Sequence, residues 1–189
     1  MPEPPSLRPA VFLDRDGTIC EEVGYLNHLS NFRMFPLAAV ALRRLNDAGY
    51  AVIVVSNQSG VARGYFPESL VQQVNQVMVQ QLSEAGAKVD AVYYCPHASS
   101  DNCGCRKPKT GMLERAVREH CIDLQRSFVV GDRYGDIHLA HNAEARGILV
   151  RTGYGEEEIA RHSAEWSSPP DFTADDLTEA VDWILRQER

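Results

Sequence analysis

The chain has no apolar run long enough to cross a bilayer; the longest β-branched stretch, Tyr50-Ala51-Val52-Ile53-Val54-Val55, is the length of one strand. It has no excess of positive charge. Its 19 Lys and Arg face 26 Asp and Glu, and a net charge of -7 argues against a general nucleic-acid surface. No segment repeats. No apolar signal-like stretch opens the sequence, so a cytoplasmic protein with reduced thiols is expected. Five cysteines in 189 residues, in a chain expected to be cytosolic, are not read as a disulfide framework. The length suits one domain with a full core. The expected layout is a loose, Pro-rich segment over residues 1–8 and a single domain over 9–189.

The most informative stretch is Phe12-Leu13-Asp14-Arg15-Asp16-Gly17-Thr18. Val11, Phe12 and Leu13 read as a buried strand, and two aspartates arrive where it stops. Period-two geometry aims both carboxylates to one place, and Gly17 allows a tight exit. Like charges held together call for a cation, and hard Mg2+ suits oxygen ligands. An aspartate can also attack phosphorus and form an acyl-phosphate. For a lone Asp-x-Asp, a solvated turn is the plainer explanation.

Other strand ends carry matching groups. Tyr50 to Val55 ends in Ser56-Asn57-Gln58-Ser59-Gly60, which is either a phosphate-binding turn or a merely polar one. Val89 to Tyr94 leads to a loop ending Cys105-Arg106-Lys107-Pro108, where Lys107 suits a phosphoryl group and Arg106 a second anion. Ser127 to Val130 ends in Gly131-Asp132-Arg133-Tyr134-Gly135-Asp136, in which Asp136 can also cap the next helix. Gly147 to Val150 is read as the final strand. Helical patterns fill the gaps: Leu37–Ala48 closed by Gly49, a long one opened by Pro67, Met112–Cys121 and Ile137–Ala145. Ser167 to Pro170 reads as a linker to a last helix capped by Thr173, with Trp183 in packing. The alternation predicts an α/β fold, a Rossmann-like doubly wound parallel sheet with helices on both faces. Ligands of such sheets bind beyond the carboxyl ends of the strands, where all these polar groups fall.

Cys95-x-His97, five residues, then Cys103-x-Cys105 offers three thiols and an imidazole, and tetrahedral Zn2+ is the best match. A disulfide pair or free thiols are the alternatives. Cys20 and Cys121 are expected to be ordinary buried thiols.

Asp14-Arg15-Asp16-Gly17-Thr18, Ser56-Asn57, Lys107 and Gly131-Asp132 resemble the four ordered motifs of the haloacid-dehalogenase-like phosphatases. Gly24-Tyr25, Ser56 to Gly64, Tyr94 to His97, Cys103 to Pro108 and Val150 to Gly153 are similar to its histidinol-phosphate phosphatase subfamily, which includes phosphatases of heptose bisphosphates. The resemblance runs from Ala10 to the last helix. It implies a Mg2+-dependent phosphatase that removes the 7-phosphate of a D-glycero-D-manno-heptose 1,7-bisphosphate, the β anomer included. The pathway implied is nucleotide-heptose and lipopolysaccharide core synthesis. Histidinol phosphate is the alternative substrate. A zinc-stabilised phosphosugar-binding module without turnover is the alternative of another class, and the intact Asp14 and Asp16 speak against it.

The same resemblance assigns roles. Asp14 is the nucleophile and Asp16 the general acid, then base. Ser56 and Lys107 hold the phosphoryl group; many relatives have Thr at the Ser56 position, and the hydroxyl is kept. Asp14, Asp132 and the carbonyl of Asp16 hold Mg2+, with Asp136 in support. Glu22, Val23, Gly24, Tyr25, Ser56, Asn57, Gln58, Ser59, Arg63, Arg106, Lys107 and Arg133 contact substrate. Zinc on Cys95, His97, Cys103 and Cys105 is structural. Thr18 to Pro36 leaves no room for a cap domain, so a nearly capless enzyme is expected, with recognition by short loops that include Asn27 and His28. The expected partner is a small sugar bisphosphate, with no nucleic acid or membrane, and the expected state is a monomer.

Overall fold

The computed structural model describes residues 6–187. Residues 1–5, most of the segment expected to be loose, lie outside the described residues. Arg8, the last residue of that segment, is tied down. Arg8 pairs with Ile122, exchanges backbone hydrogen bonds with Cys121 and Asp123, and meets Asp90 at 3.1 Å.

Six parallel strands form one sheet: β1 (Ala10–Leu13), β2 (Ala51–Asn57), β3 (Ala91–Cys95), β4 (Phe128–Gly131), β5 (Arg146–Val150) and β6 (Phe172–Ala174). Their order is β3-β2-β1-β4-β5-β6. The chain steps outward from β1 to β3, then returns to the other side of β1, so the switch point lies between β1 and β4. The register sets Leu13 beside Val54 on one side and Val130 on the other. Three strands therefore end together where the polar motifs begin.

The β-branched runs are buried on both faces. Val11 and Leu13 pack with Leu42 and Leu45 of α1 (Ala38–Asp47), Val74 and Met78 of α2 (Glu68–Glu84), and Val181 and Ile184 of α6 (Leu177–Arg186). Ala10 and Phe12 point the other way, to Leu113 of α3 (Gly111–His120) and Leu139 of α4 (Tyr134–Asn142). The short α5 (Gly155–His162) follows β5 and opens on three glutamates, which suit a helix N-terminus. Among the described residues, no helix is long and apolar enough to cross a membrane.

Four expectations are corrected. α4 begins at Tyr134 rather than Ile137, because the Asp136 carboxylate accepts the Arg133 N–H at 3.2 Å and closes the first turn. Gly147 to Val150 is not the last strand: β6 pairs in parallel with β5, and Thr173 lies within it. The cap of α6 is Asp176, which accepts the Glu179 N–H at 3.0 Å. Three residues are too few for a periodicity to show, and Phe172 is held instead by stacking on Trp183 at 5.2 Å. Cys121 is only half-buried and adopts φ +53 beyond α3, a capping position rather than a core one.

The β1–α1 connection contains only a 3-10 turn, Leu29–Asn31, and no cap domain. His28 caps that turn by accepting the Ser30 N–H at 3.1 Å.

Candidate active site

A cavity of about 470 Å³ opens beyond the carboxyl ends of β1, β2 and β4. Asp14, the first residue after β1, donates its N–H to Val130 at 2.9 Å, so the strand pairing itself fixes its backbone. The ammonium of Lys107 meets Asp14 at 2.9 Å and Asp136 at 2.7 Å, and donates to the Val55 carbonyl at 3.0 Å. Asn57 holds the backbone of Lys107 on both sides, accepting its N–H at 3.1 Å and donating to its carbonyl at 3.2 Å. Gly17 and Gly153 flank Asp132, and a Cβ on either would fall 2.1 Å from its Oδ2. That oxygen accepts the Tyr154 N–H at 2.8 Å.

Asp14, Asp132 and Asp136 bring carboxylate oxygens within 4.8 Å of one another, and all three are buried. Burial, opposed by Lys107 but reinforced by Asp136 and Asp16, pushes the Asp14 carboxyl up to about 7. Burial, with Asp14 and Asp136 beside it, pushes Asp132 up to about 8. Burial penalises the Lys107 ammonium, but Asp136 and Asp14 outweigh that and raise its pKa. When all three carboxylates are ionised, the single Lys107 leaves two negative charges uncompensated, the charge of one divalent cation. The donor set is all oxygen, which suits a hard ion.

Of the residues expected to contact substrate, Tyr25, Asn57, Gln58, Ser59, Arg63, Arg106 and Arg133 line the cavity, with Glu22 and Gly24. Val23 is 43% exposed and does not line it. Ser56 is fully buried and does not line it either; its hydroxyl accepts from Gln58 at 3.4 Å. Asn27 and His28 also stay out, spent on their own turn. Gly60 and Gly135 line it from within their motifs, and lining residues without a sequence signal are Leu26, Phe66, Tyr154 and Glu158. Arg133 lies over the Tyr154 ring, 3.7 Å from its centroid, with Glu158 at 3.7 Å.

The second metal-type cluster lies between β3 and α3. Cys95 Sγ is 3.5 Å from His97 Nδ1 and 3.6 Å from Cys103 Sγ. Cys105 Sγ is 3.3 Å from His97 Nδ1 and 3.6 Å from Cys103 Sγ. Tetrahedral Zn2+, with bonds of about 2.3 Å to sulfur and 2.0 Å to nitrogen, requires edges of roughly 3.8 and 3.5 Å. The spacings fit, and no disulfide joins these thiols.

Most of the chain is similar to known proteins. It is 46% identical over 188 residues to D-glycero-D-manno-heptose-1,7-bisphosphate 7-phosphatase of Thermosynechococcus vestitus, covering 94% of this chain and 95% of that one. The chain belongs to the family of these 7-phosphatases. The β-anomer enzyme of Haemophilus influenzae is 42% identical over 151 residues, 76% of this chain and 82% of its own. The HAD-hydrolase-like family model matches residues 104–180. The crystal structure of D,D-heptose 1,7-bisphosphate phosphatase from B. bronchiseptica, complexed with magnesium and phosphate, superposes with a TM-score of 0.86. It is 30% identical and covers 95% of this chain and 99% of its own.

Two expected results follow for a 7-phosphatase family member built this way. Gly153→Ala is expected to displace Asp132, because φ is +58 there and the new methyl meets the carboxylate. Apparent Mg2+ affinity, read by titrating activity, is expected to fall about tenfold or more, roughly 1.4 kcal/mol. The second concerns pH. Without metal, the folded chain keeps protons on Asp14 and Asp132 up to about 7 and 8, while the unfolded chain releases them near 4. The folded state thus binds more protons across that window, so stability falls as pH rises through it. Divalent cation displaces those protons. The gain in Tm on adding Mg2+ is expected to be larger at about pH 8 than at about pH 6, and an equal gain at both would refute the coupling.

Proposed function

We propose that the protein is a Mg2+-dependent phosphatase that hydrolyses the 7-phosphate of D-glycero-D-manno-heptose 1,7-bisphosphate through an aspartyl-phosphate. This supplies the 1-phosphate for nucleotide-heptose synthesis. The observation that carries it is Asp14 in contact with Lys107 beside Asp132 and Asp136, lining a cavity that also presents three arginines. Mg2+, held by Asp14, Asp132, Asp136 and the Asp16 carbonyl, would supply positive charge to the phosphoryl oxygens. The rest is done by the chain. Asp14 attacks phosphorus in line, and Lys107 offsets the repulsion between carboxylate and phosphate. Asp16 gives a proton to the departing sugar oxygen, then takes one from the water that opens the acyl-phosphate.

Arg63, Arg106 and Arg133 suit a substrate with a second anionic group. Glu22, which makes no ion pair among the described residues, and Glu158 give the same wall carboxylates for sugar hydroxyls. Burial, reinforced by Asp16, raises the pKa of Glu22. We read residues 9–189 as one catalytic domain, since Asp14, Asp16, Lys107 and Asp132 line one cavity, acting as a monomer in the cytoplasm.

The test is phosphate release, with Mg2+, from the α and β anomers of the heptose bisphosphate and from histidinol phosphate. A preference of about a hundredfold or more in kcat/KM for a heptose anomer, roughly 2.7 kcal/mol, is expected. A preference for histidinol phosphate would move the substrate and leave the mechanism.

A further inference from the structure

Arg15 heads the largest fully buried side chains among the described residues, 1% exposed, and it carries a charge. Its Nε donates to Asp16 Oδ1 at 3.1 Å and its Nη2 to Asp16 Oδ2 at 2.8 Å, a two-pronged pair. Its Nη1 donates to Asn75 Oδ1 at 3.0 Å. Asn75 is the polar interruption in the buried stripe of α2, among Val71, Val74, Met78 and Leu82. Asp16 Oδ2 also accepts from Gln58 at 2.8 Å, and Cys20 Sγ lies 3.6 Å from Oδ1. The Asp16 side chain keeps 20% exposure and lines the cavity. A packing role alone is met as well by an apolar side chain of this volume, without the cost of burying a charge.

We infer that Arg15, steadied by Asn75, is a positioning residue that fixes the plane of the Asp16 carboxylate for proton transfer at the leaving oxygen. The inference rests on Asp16 being the general acid and base. In the first half-reaction the Asp14–phosphorus bond forms, the phosphorus–oxygen ester bond breaks and the Asp16 proton moves to the departing oxygen. In the second, water attacks phosphorus, its proton returns to Asp16 and the Asp14–phosphorus bond breaks. One carboxylate must therefore serve two oxygens in turn. A planar guanidinium holding both of its oxygens sets its direction, which a lysine in that place cannot do.

The experiment uses leaving groups. Departure of a sugar alkoxide needs a proton; departure of 2,4-dinitrophenolate does not. Arg15→Lys, Asn75→Leu and Asp16→Asn are assayed with Mg2+ on heptose 1,7-bisphosphate and on 2,4-dinitrophenyl phosphate. Arg15→Lys is expected to lower kcat/KM on the sugar ester about 10²-fold. On the aryl ester kcat/KM, which ends at departure of the leaving group and so omits the later opening of the acyl-phosphate, is expected to fall less than about threefold. Asn75→Leu is expected to show the same selectivity at smaller size, and it decides the matter alone if Arg15→Lys does not fold. Equal loss on both esters, or no loss on either, overturns the positioning role. Asp16→Asn separates the two layers. Selective loss there and nowhere else refutes Arg15 alone, and no selective loss there refutes the assignment of Asp16 beneath it.

Discussion

Asp14→Asn is expected to stop phosphate release, with turnover down by about 10⁵-fold or more, while the fold survives. The amide is close to isosteric and can still accept the Arg15 N–H, now 2.8 Å from the carboxylate. It is a poor nucleophile and cannot form the acyl-phosphate. Loss of activity alone would not distinguish a nucleophile from a damaged protein, but the electrostatics of the site supply a second reading. Asp14 is a buried carboxylate repelled by Asp136 and Asp16, and it raises its neighbour Asp132. Making it neutral removes that repulsion. The metal-free variant is therefore expected to melt above the metal-free parent at about pH 8, where the parent carboxylates are being forced to ionise. An inactive variant that is more stable identifies a group placed for chemistry at the expense of stability. Turnover above about 1% of the parent would remove Asp14 from the nucleophile's role.

Loss of zinc is expected to be the second large effect. Through zinc, Cys95, His97, Cys103 and Cys105 would hold the loop that carries the cationic side of the site. The Arg106 guanidinium donates to the His97 carbonyl at 3.3 Å, and Lys109 donates to the Cys103 carbonyl at 2.8 Å. Lys107 is thus two residues from a ligand and is pinned from the other side by Asn57. A closed zinc site in a small module represents about 10–16 kcal/mol of apparent binding free energy. That is comparable with the whole stability of a domain, about 5–15 kcal/mol. Cys105→Ser, or exhaustive chelation, is expected to lower Tm by about 10 °C or more. It is also expected to lower kcat by about 10²-fold or more as Lys107 loses its place beside Asp14. Released zinc, read with a colorimetric chelator, should equal one ion per chain. Unchanged melting and turnover after complete removal would reduce the cluster to an incidental gathering of thiols.

The parts of the fold legible in the sequence are those where one residue type answers to one physical demand. β1, β2 and β4 are continuous apolar runs because both their faces are covered. The acidic cluster and the Cys/His cluster could be read because those side chains have few other reasons to crowd together. Arg15 could not. An arginine is read as exposed by default, and only the fold places an Asn75 beneath it. Asn57 was legible as a lining residue, but its hold on the Lys107 backbone, fifty positions away, was not. Tyr154, Glu158 and Phe66 belong to no pattern; they reach the cavity because β5 and α2 lie beside the right strand ends. Asn27 and His28 stand near the lining residues in sequence, and the turn they stabilise carries them away.

The connection between β1 and α1, with nothing in it larger than a single 3-10 turn, has a consequence for timing. A phosphatase with a hinged lid must open and close once per cycle, and that motion often limits its rate. The β1–α1 connection holds no hinged lid of that kind. Sugar bisphosphate would enter, and sugar monophosphate and inorganic phosphate leave, without waiting on it. Water for cleavage of the acyl-phosphate would then need no lid opening to reach the site. Turnover is expected to follow bond making and breaking and the release of products, which a solvent-viscosity series on kcat checks.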